Sequence, residues 1–229
     1  MKNLITIGLP SKGRLKEGSI NFLEKNNLKL NSIGSERNYF AQVENFPNIK
    51  IIYLHAKEII QRLGDGTLDA GISGLDLLNE SPINLQKKIE VMKKLNFGIA
   101  NLVIAIPNDW IDVQTVADLE EVSFDFRDKK SARLRVATKY PNLTNHFLVS
   151  KGITQYKLVP SLGATETYPF IGSSEIITDI TSTGATLKAN NLRVLKDGYI
   201  LESSACVLFS KKSLKIMKQI ESSTKIFKV

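Results

Sequence analysis

The sequence has 229 residues, 42% hydrophobic and 24% charged, with 31 Lys and Arg against 23 Asp and Glu for a formal net charge of +8. A chain of this size and composition closes one large or two small hydrophobic cores, which excludes disorder as its main state. A single cysteine, Cys206, excludes an intrachain disulfide, and two histidines beside it are too few for a structural zinc site of the common Cys/His type.

Residues 4–9 form a short apolar run, and Leu15, Phe22 and Leu23 follow at helical spacing. Residues 49–54 read as a second strand, and Ile59, Ile60 and Leu63 as a helix ended by Gly64 and Gly66. Residues 68–73 read as a buried strand, Gly74 as a turn, and residues 75–79 as the next helix start. The alternation then repeats with a strand at 99–106, a helix at 113–121, a strand at 134–138, and a helix marked by Leu143, Phe147 and Leu148 and ended by Gly152. Strands at 156–159 and 175–180 follow, with a short helix between Thr165 and Phe170. Residues 121–133, rich in charge, read as a surface excursion, and residues 199–209 as an apolar run broken by Glu202, Ser203 and Ser204.

Strand and helix in alternation specify an α/β fold with helices on the faces of a largely parallel sheet. Two lobes fit the length, with residues 1–97 and 192–229 forming a discontinuous first lobe and residues 98–191 the second. A cleft between them is the expected ligand site. The opening apolar run is shorter than a signal-peptide core, and residues 99–106, interrupted by Asn101, fall short of a membrane span. The expectation is a cytoplasmic protein with no membrane association.

The basic excess is local. Residues 211–229 hold six lysines and one glutamate, which leaves +3 for the rest. Leu214, Ile216, Met217 and Ile220 alternate with these lysines at helical spacing, so the tail reads as an amphipathic helix with a solvated lysine face. No aromatic residues interleave with the lysines, which argues against a nucleic-acid partner.

The segment richest in chemistry is DITSTGATLKANN, residues 179–191. It sets Thr181, Ser182, Thr183, Gly184, Ala185 and Thr186 between a strand and a helix start, where backbone N–H groups and hydroxyls converge. Two readings are open: a phosphate cradle, or a Ser/Thr-rich helix cap with no ligand. Asp179, at the carboxyl end of a strand beside this turn, favours the first, because ribose hydroxyls or a magnesium ion are held by such a carboxylate. The P-loop pattern is missing.

Residues 179–187, together with RVATKYPNLT (135–144), LPSKGRL (9–15), DAGISGLDLL (69–78) and FGIANLVIAIP (97–107), resemble the ATP phosphoribosyltransferase family of histidine biosynthesis in the same order along nearly the whole chain. The length resembles the short form, which lacks a C-terminal regulatory domain. The resemblance implies two lobes like those of type II periplasmic binding proteins. It also implies transfer of phosphoribosyl from PRPP to N1 of ATP with release of pyrophosphate, and a requirement for Mg2+. Residues 179–186 would then hold PRPP, with Asp179 meeting the magnesium mainly through PRPP. Lys12, Arg14, Gly74 and Lys139 would serve ATP, and Arg37, Lys12 and Glu166 the transfer itself. Such chemistry asks for positioning and charge neutralisation more than for acid or base work.

The chain departs from the family at His55, where many members carry an arginine three residues before an acidic residue, here Glu58. Imidazole does not replace a guanidinium fork, so Lys57 or Arg37 supplies that charge or the contact is dispensable. His55 reads as a partly buried strand-end residue and His146 as structural or surface. The resemblance further implies a homodimer of catalytic subunits joined in a hetero-octamer by a regulatory subunit resembling histidyl-tRNA synthetase. The alternative function is a non-catalytic, bilobal small-anion binding protein.

Overall fold

A computed structural model describes residues 4–32 and 39–224. The chain divides into two compact units, residues 1–99 with 204–229 and residues 100–203. In chain order the first holds β1 (Ile5–Pro10), α1 (Gly13–Lys25), β2 (Leu30–Ser32), β3 (Phe40–Val43), β4 (Phe46–Leu54), α2 (Ala56–Asp65), β5 (Ala70–Gly74), α3 (Leu75–Glu80), α4 (Ile83–Gln86) and β6 (Ile89–Lys94). The second holds β7 (Ala100–Pro107), α5 (Val116–Lys130), β8 (Leu134–Thr138), α6 (Pro141–Ser150), β9 (Tyr156–Pro160), a 3-10 turn (Thr165–Thr167), β10 (Ile176–Thr181), α7 (Ala185–Ala189) and β11 (Leu192–Ser203). The chain returns to the first unit with β12 (Ala205–Ser210) and α8 (Leu214–Thr224).

The first unit is a seven-stranded mixed sheet in the order β2-β3-β4-β1-β5-β12-β6. Strand alternation sorts its side chains to two faces. Ile5, Ile7, Leu9, Ile49, Ile51, Val207 and Phe209 pack with Leu23 of α1 and Met217 of α8, whereas Cys206 and Leu208 pack with Ile59, Ile60 and Leu63 of α2. Two glycines let α2 lie against the strands: a Cβ on Gly8 would come within 3.3 Å of Ile59 Cγ1, and one on Gly71 within 2.6 Å of Ile59 Cγ2. Asp69, in the run resembling the family, fastens this sheet. Its carboxylate accepts from Thr6 N–H (2.9 Å) and from the Ser213 hydroxyl (2.5 Å), joining β1 to the segment after β12.

The second unit is a five-stranded sheet in the order β11-β7-β10-β8-β9. Ile104, Val116, Leu119, Leu134, Val136, Leu148 and Ile176 form the core on the α5 and α6 face; Val103, Ala105, Ala137, Ile177 and Leu187 form it on the α7 face.

Three expectations are corrected. Residues 192–203, assigned from the sequence to the first lobe, are β11 and pair antiparallel with β7 in the second sheet. The apolar run 199–209 is therefore two strands of different sheets, and its polar break falls where the chain passes from one to the other. Residues 121–133 are no excursion, since α5 runs to Lys130. A capping box between Thr115 and Asp118 starts that helix, and Val116, Leu119, Val122 and Phe126 give it a core face that the flanking charges disguise in the sequence. In α8, Ile216 is exposed rather than on the apolar face, whereas Met217 is a buried member of the core and Leu214 packs against it.

Candidate active site

Parallel pairing brings particular strand ends to one edge. In the second sheet Thr178 of β10 pairs with Thr138 of β8, and Thr138 with Pro160 of β9. Lys139, Ser161 and the turn after Thr181 therefore follow from the carboxyl edge of the same three strands, the edge at which open α/β sheets bind ligands.

Asp179 is the centre of this edge. It faces the same side of β10 as Ile177, towards α7 and the 3-10 turn, and is buried. Its Oδ1 accepts from Ile180 N–H at 2.8 Å, and its Oδ2 lies 3.7 Å from Lys139 Nζ. The ion pair with Lys139 would lower the pKa of this group, yet burial outweighs it. Desolvation pushes the Asp179 carboxyl above the usual carboxylate range, with Glu166 adding to the rise and Lys139, Ile180 N–H and Thr165 opposing it. An ionised carboxylate in this position gains from any further donor or positive charge delivered to it.

Beneath Lys139 lies a buried hydroxyl chain. Thr178 Oγ1 is 2.7 Å from Thr144 Oγ1, which is 3.1 Å from Thr138 Oγ1, and Thr138 accepts from Tyr140 N–H at 2.9 Å. The chain fastens β10 and β8 to the start of α6, where Pro141 at the first position fixes the entry. Lys139 is thereby set on a rigid base.

The turn after β10 is shaped by its own alcohols. Thr181 Oγ1 accepts from Gly184 N–H (2.9 Å) and Thr183 Oγ1 from Ala185 N–H (3.3 Å), which leaves each hydroxyl hydrogen to donate elsewhere. Gly184 has φ +74, and a Cβ there would meet nothing within 4 Å. Its glycine answers to the left-handed backbone. Ser182, Thr183, Ala185 and Thr186 are exposed, Thr181 and Gly184 half-buried.

In the first unit, parallel pairing of β4, β1 and β5 puts the starts of α1, α2 and α3 along one carboxyl edge. Lys12 is the residue before α1 and Arg14 lies in its first turn; both are exposed. His55 caps α2, its Nδ1 accepting from Lys57 N–H at 3.3 Å, and is exposed rather than partly buried. Its role there is that of an N-cap. Gly74 precedes α3, and the Asp76 carboxylate occupies the space a Cβ would need. Arg37 lies outside the described residues.

Among the described residues no three His, Cys, Asp or Glu side chains converge as a metal-binding group. A divalent cation fits at Asp179 only where a substrate's phosphates supply most of the ligands, the usual manner of magnesium. The sequence did not point to Ser161, Thr138, Thr144 or Thr178, because a buried threonine in a strand is indistinguishable by pattern from a solvent-facing one. Arg135, which opens a run resembling the family, is held by Glu175, whose Oε2 also accepts its backbone N–H at 2.7 Å. That arginine fastens the sheet.

The sequence model described as ATP phosphoribosyltransferase matches residues 55–228. The ATP phosphoribosyltransferase of Mesorhizobium japonicum is 47% identical over 211 residues, 92% of this chain and 91% of that one. The chain belongs to the ATP phosphoribosyltransferase family. The family member from Brucella melitensis is likewise 47% identical, over 91% of both chains. Among solved structures, the ATP phosphoribosyl transferase (HisG:HisZ) complex from Thermotoga maritima matches with a TM-score of 0.72 at 24% identity, covering 98% of this chain and 99% of that one. The alkanesulfonate-binding protein SsuA from Xanthomonas axonopodis matches with a TM-score of 0.53 at 15% identity over 97% of this chain and 72% of that one. These likenesses place the fold with the two-lobed binding proteins. No helix among the described residues is long and apolar enough to cross a membrane.

Proposed function

We propose that this chain transfers the phosphoribosyl group of PRPP to N1 of the adenine of ATP, releasing pyrophosphate, as the first step of histidine biosynthesis. In the transfer the bond from ribose C1 to the pyrophosphate oxygen breaks and a bond from adenine N1 to C1 forms. N1 is already nucleophilic, so the protein's work is to align the two and to meet the charge that builds on the leaving group and at C1.

Asp179 receives the ribose hydroxyls, and the hydroxyls and N–H groups of residues 181–186 receive the 5′-phosphate. Glu166, beside Asp179, faces the ribose where positive charge develops. Lys139, held on the threonine chain, and Lys12 and Arg14, at the start of α1, supply cations for the phosphates of ATP and the departing pyrophosphate; Arg37 belongs to the same set. Gly74 contributes room for Asp76, and through it a fixed start to α3. Magnesium, carried by the pyrophosphate and met by Asp179, would neutralise part of the phosphate charge. The relative from Thermotoga maritima is a HisG:HisZ complex. In this reading the present chain works as a homodimer joined in a hetero-octamer by a regulatory subunit resembling histidyl-tRNA synthetase, in the cytoplasm.

The observation that carries this reading is a buried carboxylate, faced by Lys139, beside a hydroxyl-rich turn on a strand edge. The test is to mix the chain and its regulatory subunit with ATP, PRPP and magnesium and to follow the ultraviolet absorbance of an N1-substituted adenine. Product formation is expected. Binding of an anion with no turnover in the assembled complex would return the chain to the class of binding proteins.

A further inference from the structure

The face of the second sheet that packs on α5 and α6 is aliphatic along Leu134, Val136 and Ile176, with Leu148 against it. Thr138 and Thr178, two residues on from Val136 and Ile176, bring hydroxyls to that same face, and Thr144 of α6 meets both; all three are buried. Burying a hydroxyl carries a desolvation cost that valine, of similar shape, would not. The ladder between β8 and β10 already pairs Thr138 with Thr178 through the backbone, so the register of the strands does not require the alcohols.

The row lies one residue before the site on each strand, since Lys139 follows Thr138 and Asp179 follows Thr178. Lys139 stands at the apex of a turn in which Thr138 Oγ1 accepts from Tyr140 N–H at 2.9 Å, and the Tyr140 carbonyl accepts from Thr144 N–H at 2.9 Å. The Thr144 hydroxyl closes this ring on Thr138 at 3.1 Å and reaches across to Thr178 at 2.7 Å. It has one hydrogen for two neighbours, so at least one of them donates to it. A single buried oxygen thus ties together the two backbones that carry the Lys139 ammonium and the Asp179 carboxylate, whose Nζ and Oδ2 lie 3.7 Å apart.

We propose that Thr144 is a positioning residue: its hydroxyl fixes Lys139 relative to Asp179, and through them the acceptor phosphates relative to the donor ribose. This rests on the reading of Lys139 and Asp179 given under the proposed function. A hydroxyl row serving the fold alone affects stability and leaves the alignment of substrates untouched. One that spaces two binding groups governs the rate of their reaction, because a misplacement of about 1 Å can cost on the order of a hundredfold.

The test measures PRPP affinity by calorimetry on the full-length chain with magnesium present and, in the assembled enzyme, KM for ATP and the single-turnover rate of N1 substitution. Thr144→Val should slow the single turnover about tenfold while PRPP affinity and KM for ATP stay within about twofold, because each substrate keeps its own contact and only their alignment suffers. Thr144→Ser, which keeps the hydroxyl, should restore the rate. In a Lys139→Met background Thr144→Val should add nothing, because one of the two groups it spaces is gone. The inference is overturned if Thr144→Val turns over at the parent's rate, if Thr144→Ser is as slow as Thr144→Val, or if Thr144→Val still costs its full factor without Lys139. A loss of PRPP affinity as large as the loss of rate overturns it too, since that is the mark of a generally loosened site. Should Thr144→Val not fold, Thr178→Val, which frees the strand of Asp179 from the same hydroxyl, decides, and an unchanged rate there overturns the inference. If Lys139→Met and Asp179→Ala bind ATP and PRPP as the parent does, the failure belongs to the reading of the site and not to Thr144.

Discussion

The two carboxyl edges are built on opposite plans. In the first unit the edge carries helix starts and exposed cations, Lys12 and Arg14, for which no ion pair is recorded among the described residues. In the second unit the edge carries a buried carboxylate that accepts from Ile180 N–H and is faced by Lys139. Exposed cations on long stems adapt and are screened by salt, whereas a buried, oriented carboxylate is rigid and costs stability when ionised. The contrast assigns discrimination to the second edge and electrostatic attraction to the first.

The sharpest way to break that contrast is Asp179→Asn. It removes a buried charge but keeps an oxygen for Ile180 N–H, so PRPP affinity should fall by about one to two orders of magnitude, the worth of a charge-assisted hydrogen bond. The melting temperature should rise, since function and stability pull against each other at this residue. Calorimetry and a thermal melt read the two, and a fall in both would remove the rigid carboxylate from the comparison.

Gly184→Val comes next. It forces a β-branched residue to φ +74, at about 1–2 kcal/mol, and PRPP binding should fall about tenfold as the turn rearranges. KM for ATP should move much less.

Lys12→Ala and Arg14→Ala should each weaken ATP binding only a few-fold at low ionic strength, and the differences should fade in several hundred millimolar salt, as exposed charges require. A salt-independent loss would show these cations to be as built-in as Asp179.

The smallest effect concerns Asp118, whose carboxyl is held below its usual range by the N–H groups of Thr115 and Gln114 and the Thr115 hydroxyl. A lowered group contributes stability that is present above its unfolded value, near 4, and is lost as pH falls through its folded value. The melting temperature of Asp118→Asn should therefore lie below the parent's at pH 7, with the gap closing on acidification. A gap that does not change with pH would make the capping box insensitive to charge.

Much of the architecture was legible in the sequence because its long elements carry strong periodicity. Ile59, Ile60 and Leu63 with Gly66 behind them mark α2, and Gly66 does end it at φ +82. The short strands β2, β3 and β6 were not legible, since three to six residues with mixed polarity leave no period to read. The boundary at Ser204 was missed for a related reason: two apolar strands in succession look like one until the sheets are known. At the candidate site, Asp179, Lys139 and the turn at 181–186 were legible as residue types in a motif, and the structure gathers them on one edge.

The placement of β12 has a consequence for how the chain is made. It is the sixth strand of the first sheet in space, between β5 and β6, yet the last strand of that sheet in sequence. As the polypeptide leaves the ribosome, β5 and β6 must wait with open hydrogen-bonding edges while the whole second unit is synthesised and folds. The slot closes only when residues 205–210 arrive and Ser213 reaches Asp69. A nascent chain stalled before Ala205 would thus present a finished second unit tied to an unfinished and adhesive first one, a natural client for chaperones.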